Sequence, residues 1–130
     1  MHFFDRLADR IDAVDSVVSV GLDPDPDRLP EHLRDRDMPR WAFNRRIIDA
    51  THEHAAAFKL NAAFYEDADG WRALRETVAY AHGKDVPVLL DAKRADIGNT
   101  ARLASSRTGT SFPWAYAMVS ASAAQPSGSS

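Results

Sequence analysis

Residues 86–100 read VPVLLDAKRADIGNT, a mostly aliphatic run that leads directly into Asp91, Lys93 and Asp96. A short continuous apolar run is typical of a strand buried on both faces, as in a parallel sheet. Asp91 and Lys93 are two residues apart, so on an extended chain their side chains point to the same side. The stretch therefore predicts a buried strand that presents a cluster of charges at its carboxyl end.

The preceding part of the chain repeats this arrangement. Apolar residues recur at helical spacing in three segments. Two further short apolar runs resemble the run at 86–90 and are also predicted to be strands. Strand–helix alternation at about 30–40 residues per unit predicts a parallel sheet connected by right-handed crossovers. The predicted elements are helices over 3–14, from Pro39 to about His54 and from Asp67 or Asp69 to about Gly83, strands near 17–22, 56–60 and 86–90, a proline-rich loop over 24–30, and the start of another helix in 97–106.

The composition is that of an ordinary globular protein, with 45% hydrophobic and 27% charged residues. The formal net charge of −3 gives no reason to expect nucleic acid or a membrane surface as a partner. No run approaches the length of a membrane span, and the amino terminus MHFFDRLADR is too charged for a signal peptide. The chain contains no cysteine, which excludes disulfides and thiolate metal sites and predicts a cytoplasmic location.

Charged residues mark the end of each predicted strand: Asp23, Lys59, and Asp91 with Lys93. The carboxyl ends of parallel strands form the active sites of such folds. A single charge at such a position is explained by the strand reaching solvent. In this chain, however, Arg outnumbers Lys 13 to 3, and two of the three lysines occupy these positions, which favours a functional role for them. Carboxylates on both sides of Lys93 favour its ammonium form, which suits a general acid or an electrostatic clamp.

Three motifs occur in a fixed order: VGLDPDPDRLP at 20–30, FKLNAAFYE at 58–66 and DAKRADIGNT at 91–100. The last fits the pattern Asp-x-Lys-x-x-Asp-Ile-x-x-Thr. Over about residues 1–104 the chain thereby resembles the orotidine 5′-phosphate decarboxylase family. The resemblance implies an α/β fold, a partial (β/α)8 TIM barrel with parallel strands of which the chain holds the first three strand–helix units, since a whole barrel takes roughly 200 or more residues.

The resemblance also implies a role for each motif residue in converting orotidine 5′-phosphate to UMP, a step of pyrimidine biosynthesis. Asp23 and Lys59 correspond to residues that hydrogen-bond the ribose hydroxyls of the substrate. Asp91 corresponds to the carboxylate beside the carboxyl group that is lost. Lys93 corresponds to the proton donor to C6 of the pyrimidine.

The remaining motif residues lie beyond the strand. The resemblance implies that Asp96 and Thr100, with Ile97 beside them, act across the interface of a homodimer, in the site of the other subunit. It implies neither a metal nor an organic cofactor. His52 and His54 predict no metal site either, because two residues that far apart near a helix end fall on different faces.

The distribution of charge divides the chain near residue 107. The 16 basic and 19 acidic residues all lie in residues 1–107, and residues 108–130 contain none. We assign residues 1–107 to the amino-terminal part of the decarboxylase barrel and residues 108–130 to an uncharged tail that is disordered or out of frame. We hypothesise a shift of reading frame near residues 104–109; a gene sequence in which no other frame encodes further barrel strands would contradict it.

Two other functions stay open on the sequence alone. One is a non-catalytic fragment with at most a partner-binding role, because we expect the 130-residue chain to be an incomplete and inactive form. The other is a related phosphosugar lyase or decarboxylase, such as a hexulose-phosphate synthase, which generally uses a metal. Arg45 and Arg46 could bind a phosphate, but the polar face of a helix explains them as well.

Overall fold

The computed structural model describes residues 2–92, and helices alternate with strands along them. Within this range no helix is both long enough and apolar enough to cross a membrane. Two short 3-10 turns, Pro26–Arg28 and Ala62–Tyr65, follow the first and second strands. The regular elements are α1 (Phe3–Val14), β1 (Ser19–Gly21), α2 (Glu31–Arg34), α3 (Pro39–Thr51), β2 (Ala57–Asn61), α4 (Ala68–Gly83) and β3 (Val88–Asp91).

The three strands form one parallel sheet in the order β1-β2-β3. Gly21 lies opposite Lys59, which in turn lies opposite Leu89, and Asn61 lies opposite Asp91. The predicted parallel α/β arrangement is therefore confirmed, as are the three strands near their predicted positions. Because all three strands run in the same direction, their carboxyl ends meet at one edge of the sheet.

The two faces of this sheet differ in burial. Alternate residues of β2 and β3 are buried at 6% exposure or less and join one hydrophobic core with α3 and α4. On the other face Ala57 is buried at 2% exposure, but the remaining residues stay partly exposed, so the burial of both faces expected for the aliphatic run is incomplete within residues 2–92. The buried face carries Phe58, Leu60, Val88 and Leu90, and the partly exposed face carries Lys59, Asn61, Leu89 and Asp91.

α1 marks the opposite edge of the sheet. The Arg10 guanidinium donates to the carbonyl of Ala55 at 3.0 Å and to the carbonyl of His52, just before β2 begins. Because these carbonyls precede the strand, α1 lies at the amino ends of the strands. The carboxyl ends, where the motif residues lie, are on the other side of the sheet.

The proline-rich segment 24–30 is more ordered than expected. Prediction of an irregular loop is wrong for its centre, where Pro26 begins a 3-10 turn that the Asp25 carboxylate caps by accepting from the Asp27 amide at 3.0 Å. Proline is compatible with the first position of a helical turn because its missing N–H has no partner there. The next proline, Pro30, directly precedes α2.

A partly buried ion pair joins the beginnings of α3 and α4. Of the two predicted caps for α4, the structure selects Asp67, whose Oδ1 accepts from the Gly70 amide at 2.7 Å. The same carboxylate receives both terminal nitrogens of Arg40, at 2.9 and 2.5 Å, and Arg40 also donates to the Phe64 carbonyl. A bidentate guanidinium–carboxylate contact fixes direction as well as distance. Because Arg40 also bonds the Phe64 carbonyl, the turn after β2 is held against the beginnings of both helices.

Gly70 provides a test of this junction, because a Cβ at that position would lie 2.4 Å from the Tyr65 carbonyl oxygen. We predict that Gly70→Ala lowers the free energy of unfolding by about 1–3 kcal/mol through overpacking. This loss exceeds the ~0.5–1 kcal/mol that alanine contributes within a helix. Urea unfolding followed by circular dichroism measures it.

The control is Gly83→Ala, also in α4, where a Cβ has no neighbour within 4 Å. Gly83→Ala should leave the unfolding midpoint unchanged or raise it. Equal midpoints for the two variants would show that the contact at Gly70 does not restrict the junction.

Candidate active site

Three motif residues meet at the carboxyl edge of the sheet. The Lys59 Nζ lies 3.9 Å from Asp91 Oδ2, and Asp23 lies two residues beyond Gly21, the last residue of β1. Lys59 does not end its strand, as the sequence suggested, but lies two residues before Asn61, the last residue of β2. The long lysine side chain spans this offset and reaches the end of β3.

The Lys59–Asp91 ion pair contributes little to folding. The Lys59 side chain remains 45% exposed and that of Asp91 19% exposed, and ion pairs accessible to solvent stabilise by about 1 kcal/mol or less. Both residues belong to the partly exposed face of the sheet. A molecule bound on that face would therefore contact a cation and an anion held side by side.

Asp23 connects the ends of two strands. Its Oδ1 accepts a hydrogen bond from the Asn61 backbone amide at 2.9 Å, although the residue itself is exposed. The preceding residue, Leu22, is fully buried and its amide donates to the Lys59 carbonyl at 2.8 Å. The carboxylate is thus anchored to β2 and still has an exposed side that a ligand can reach.

Asn61 is a residue of this edge that sequence reasoning missed. It lies opposite Asp91 in the register, and its side-chain oxygen accepts from the Ala63 amide at 3.1 Å, which caps the turn after β2. The alternation that placed Asp91 and Lys93 on one side applies equally to Lys59 and Asn61. The two-residue spacing from Lys59 could have indicated Asn61. It was overlooked because the residues singled out at the strand ends were charged, and Asn61 is polar but uncharged.

The other predicted site residues, Lys93, Asp96, Ile97 and Thr100, lie outside the described residues, as does the segment 108–130. Within residues 2–92, no group of three or more His, Cys, Asp or Glu side chains is placed to hold a metal ion. The described geometry therefore concerns the edge formed by Asp23, Lys59, Asn61 and Asp91.

Arg45 and Arg46 lie away from this edge, exposed on α3. The Arg45 guanidinium is 5.6 Å from the centre of the Tyr80 ring of α4, and Arg46 contacts the His32 ring at 2.9 Å. A shallow depression beside them also contains Asp37 and Asp49. With carboxylates among the arginines, this surface is explained by the polar outer side of a helix.

Comparisons with known proteins agree on one family. The family described as orotidine 5′-phosphate decarboxylase / HUMPS matches residues 16–129. The chain is 83% identical over 102 residues to an orotidine 5′-phosphate decarboxylase of Halorubrum lacusprofundi, and 46% identical over 102 residues to one of Christiangramia forsetii. These matches cover 78% and 75% of this chain, but only 37% and 38% of the relatives.

Solved structures show the same fold. A candidate orotidine-monophosphate-decarboxylase from Toxoplasma gondii superposes with a TM-score of 0.63 at 42% identity, over 81% of this chain and 36% of that one. The Plasmodium berghei orotidine 5′-monophosphate decarboxylase gives 0.60 at 24% identity, over 78% and 47%. The three parallel strands with their helices therefore form part of a TIM barrel.

The Asp23–Asn61 contact has a direct spectroscopic test. We predict that Asp23→Ala makes the Asn61 amide exchange with solvent about fivefold faster, because a hydrogen bond of this type contributes ~1 kcal/mol net. Asp23→Asn, which keeps an accepting oxygen, should lie between that variant and the unchanged protein. Amide exchange followed by NMR measures all three.

Asp25→Ala is the matched control, because the Asp25 carboxylate accepts from the Asp27 amide instead. It should accelerate exchange at Asp27 and leave Asn61 unaffected. Slow exchange of Asn61 in Asp23→Ala would contradict the assigned contact.

Proposed function

Because the chain belongs to the orotidine 5′-phosphate decarboxylase / HUMPS family, we propose that it supplies the amino-terminal catalytic strands for conversion of orotidine 5′-phosphate to UMP. The chain spans about 37% of the length of the curated relatives it matches most strongly, so the activity of the whole protein is part of the proposal. The observation that carries it is the Lys59–Asp91 pair at 3.9 Å, at the carboxyl edge of parallel strands.

The chemistry needs a charge arrangement of this kind. When the bond between C6 and the carboxyl carbon breaks, its electron pair stays on C6 and carbon dioxide leaves. We assign to the Lys93 ammonium the proton that then bonds to C6. A cation held close to the reacting carbon stabilises the developing negative charge before the proton moves, because its orientation is already set.

Lys59 and Asp91 have complementary parts in this proposal. Asp91 lies beside the substrate carboxyl group and orients the neighbouring ammonium groups by charge attraction. Lys59 offsets the negative charge of Asp91 and donates to a ribose hydroxyl. This assignment agrees with their separation of 3.9 Å and with the 45% exposure of the Lys59 side chain.

Asp23 completes the contact with the sugar by accepting from a ribose hydroxyl. Such contacts lie away from the reacting carbon, and their binding energy raises the rate when it is realised more fully in the transition state than in the bound substrate. The anchoring of Asp23 to the Asn61 amide supports this role, because a fixed acceptor selects one position of the sugar.

The assembly of the enzyme is the remaining part of the proposal. Asp96 and Thr100, with Ile97 beside them, act in the site of the second subunit of a homodimer. We place the enzyme in the cytoplasm, with orotidine 5′-phosphate as its partner molecule, and with neither nucleic acid nor a membrane. The proposed steps use side-chain charges and one proton, and they require no organic cofactor.

The relatives favour this reaction over that of a hexulose-phosphate synthase. Five relatives with 80–83% identity to the chain are described as orotidine 5′-phosphate decarboxylases. The partly exposed face that carries Lys59 and Asp91 also explains why we expect no turnover from the 130-residue chain alone. Charges on an uncovered face contact water, which weakens their effect on a bound substrate.

A hybrid protein tests the proposed function. In it, the 102 matched residues of this chain replace the corresponding part of the Halorubrum lacusprofundi decarboxylase, to which they are 83% identical. We predict that the hybrid consumes orotidine 5′-phosphate, measured as loss of orotidylate absorbance. Lys93→Ala should lower kcat by about 10²–10⁴-fold, the usual contribution of a general acid.

Lys84→Ala is the matched control, since this lysine lies at the end of α4, 5.4 Å from the Tyr80 ring centre. It should leave kcat and KM unchanged. A folded hybrid without turnover would contradict the proposal, and turnover of a hexulose phosphate that stops on chelation would favour the related lyase. Turnover by the 130-residue chain, abolished by Lys93→Ala, would contradict its expected inactivity.

A further inference from the structure

A chain of buried polar side chains runs from α4 through α3 to the end of β1. The Asn44 Nδ2 donates to Thr77 Oγ1 at 3.0 Å and to the Tyr65 hydroxyl at 2.9 Å. The Tyr65 hydroxyl in turn donates to the Leu22 carbonyl at 2.6 Å. Asn44, Thr77, Tyr65 and Leu22 are all fully buried, at 0% exposure.

The direction of every hydrogen bond in this chain follows from counting protons. Thr77 Oγ1 donates its single proton to the Ala73 carbonyl at 2.7 Å, and Tyr65 donates its own to Leu22. Both hydroxyls must therefore accept from the third residue. One side chain satisfies both only if it carries at least two N–H donors, and the Asn44 Nδ2 supplies both of them.

The Tyr65 hydroxyl stays a donor throughout the ordinary range of pH. Burial raises the pKa of the Tyr65 phenol well above its usual range, and the nearby Asp23 charge acts in the same direction. The hydrogen bond from Asn44 and the charge of Arg40 lower the same pKa, but by less than burial raises it. The proton that bonds the Leu22 carbonyl is therefore always present.

The acceptor of that proton immediately precedes Asp23. Leu22 is held on one side by its amide, which donates to the Lys59 carbonyl at 2.8 Å, and on the other by the Tyr65 hydroxyl. The Asp23 carboxylate has its own anchor, the Asn61 amide at 2.9 Å. Three contacts thus converge on two residues just beyond the last ladder pairing of β1, which ends at Gly21.

We propose that Tyr65 and Asn44 are positioning residues that hold Asp23 where it accepts from one sugar hydroxyl of the substrate. The inference rests on the proposed function, because it assigns the ribose as the group that Asp23 contacts. Burying three polar side chains costs desolvation that a phenylalanine and two aliphatic residues would avoid. What the polar chain adds is a defined place for the Leu22 carbonyl, which a non-directional apolar contact does not provide.

The test compares substrates in the hybrid protein described above. Tyr65→Phe keeps the ring and removes the hydroxyl, and it should lower kcat/KM for orotidine 5′-phosphate about 10–100-fold, as expected when a binding group is displaced. With the 2′-deoxy or the 3′-deoxy analogue, whichever lacks the hydroxyl that Asp23 binds, the same substitution should have less than about a threefold effect. A variant that is merely unstable would lose activity equally with all substrates.

Two further variants test the connection to Asp23. In an Asp23→Ala background, Tyr65→Phe should lower kcat/KM little further, because the carboxylate that Tyr65 positions is already absent. Asn44→Asp keeps the size of the side chain but removes both N–H donors, and it should show the same dependence on the substrate as Tyr65→Phe. Equal effects of Tyr65→Phe on all three substrates, or full additivity with Asp23→Ala, would overturn the inference.

Tyr80→Phe is the matched control. Tyr80 lies on α4, and its hydroxyl donates to the Asp49 carboxylate on α3, away from the strand ends. The same chemical change at that position should leave kcat/KM within about twofold of the unchanged hybrid, which is the scale of surface substitutions.

Amide exchange separates failure of the inference from failure of the proposed function. In the 130-residue chain, Tyr65→Phe should accelerate exchange of the Asn61 amide, which bonds Asp23, and Tyr80→Phe should not. Unchanged exchange at Asn61 would overturn the positioning role whatever the hybrid does. Accelerated exchange together with a hybrid that has no turnover would support the positioning of Asp23 and contradict the decarboxylase proposal alone.

Discussion

β2 pairs in parallel with β1 on one side and with β3 on the other, so its register selects which side chains of three distant segments meet. The pairing of Asn61 with Asp91 brings the ammonium group of Lys59 to the end of β3. A shift by one residue would turn Lys59 to the buried face, where Phe58 and Leu60 pack against the helices. The charged edge therefore exists only in this register, which burial of the alternate aliphatic residues maintains.

Directional polar contacts, some buried and some partly buried, supplement this packing. Arg40 and Asp67 hold the beginnings of α3 and α4 together, and Asn44 connects the same helices to the turn after β2. The Tyr65 hydroxyl, at the end of that turn, donates to the Leu22 carbonyl just beyond β1. Each group has a partner for the proton that it donates, which lowers the cost of placing it away from water. The helices thereby influence the charged edge although they pack on the opposite face of the sheet.

The sequence predicted most of the secondary structure because that information is local. The spacing of Phe3, Leu7, Ile11 and Val14 predicted α1 with the bounds that the structure shows. The proline-rich segment was less predictable, since proline interrupts a helix in its interior but fits its first turn. Position within the turn decides between these effects, and it becomes known only once the turn at Pro26 is seen.

Whether a residue of the candidate site could be predicted from the sequence depended on whether its side chain is charged. Charged residues at the ends of aliphatic runs indicated Asp23, Lys59 and Asp91, because a charge in such a place costs desolvation unless it is exposed or paired. Asn61 and Tyr65 gave no comparable signal. An amide or a phenol is common both in cores and on surfaces, so composition does not show which group it will bond.

The amino-acid sequence by itself determined the order of helices and strands, the parallel class of the sheet and the charged residues at its carboxyl edge. These depend on periodicity and on the polarity of neighbouring residues, which act over a few positions. Only the tertiary structure decided that Asp67 rather than Asp69 caps α4, that Asn61 fixes Asp23, and that Tyr65 bonds the Leu22 carbonyl. The last two contacts join residues 38 and 43 positions apart, and folding alone brings such donors and acceptors within hydrogen-bonding distance.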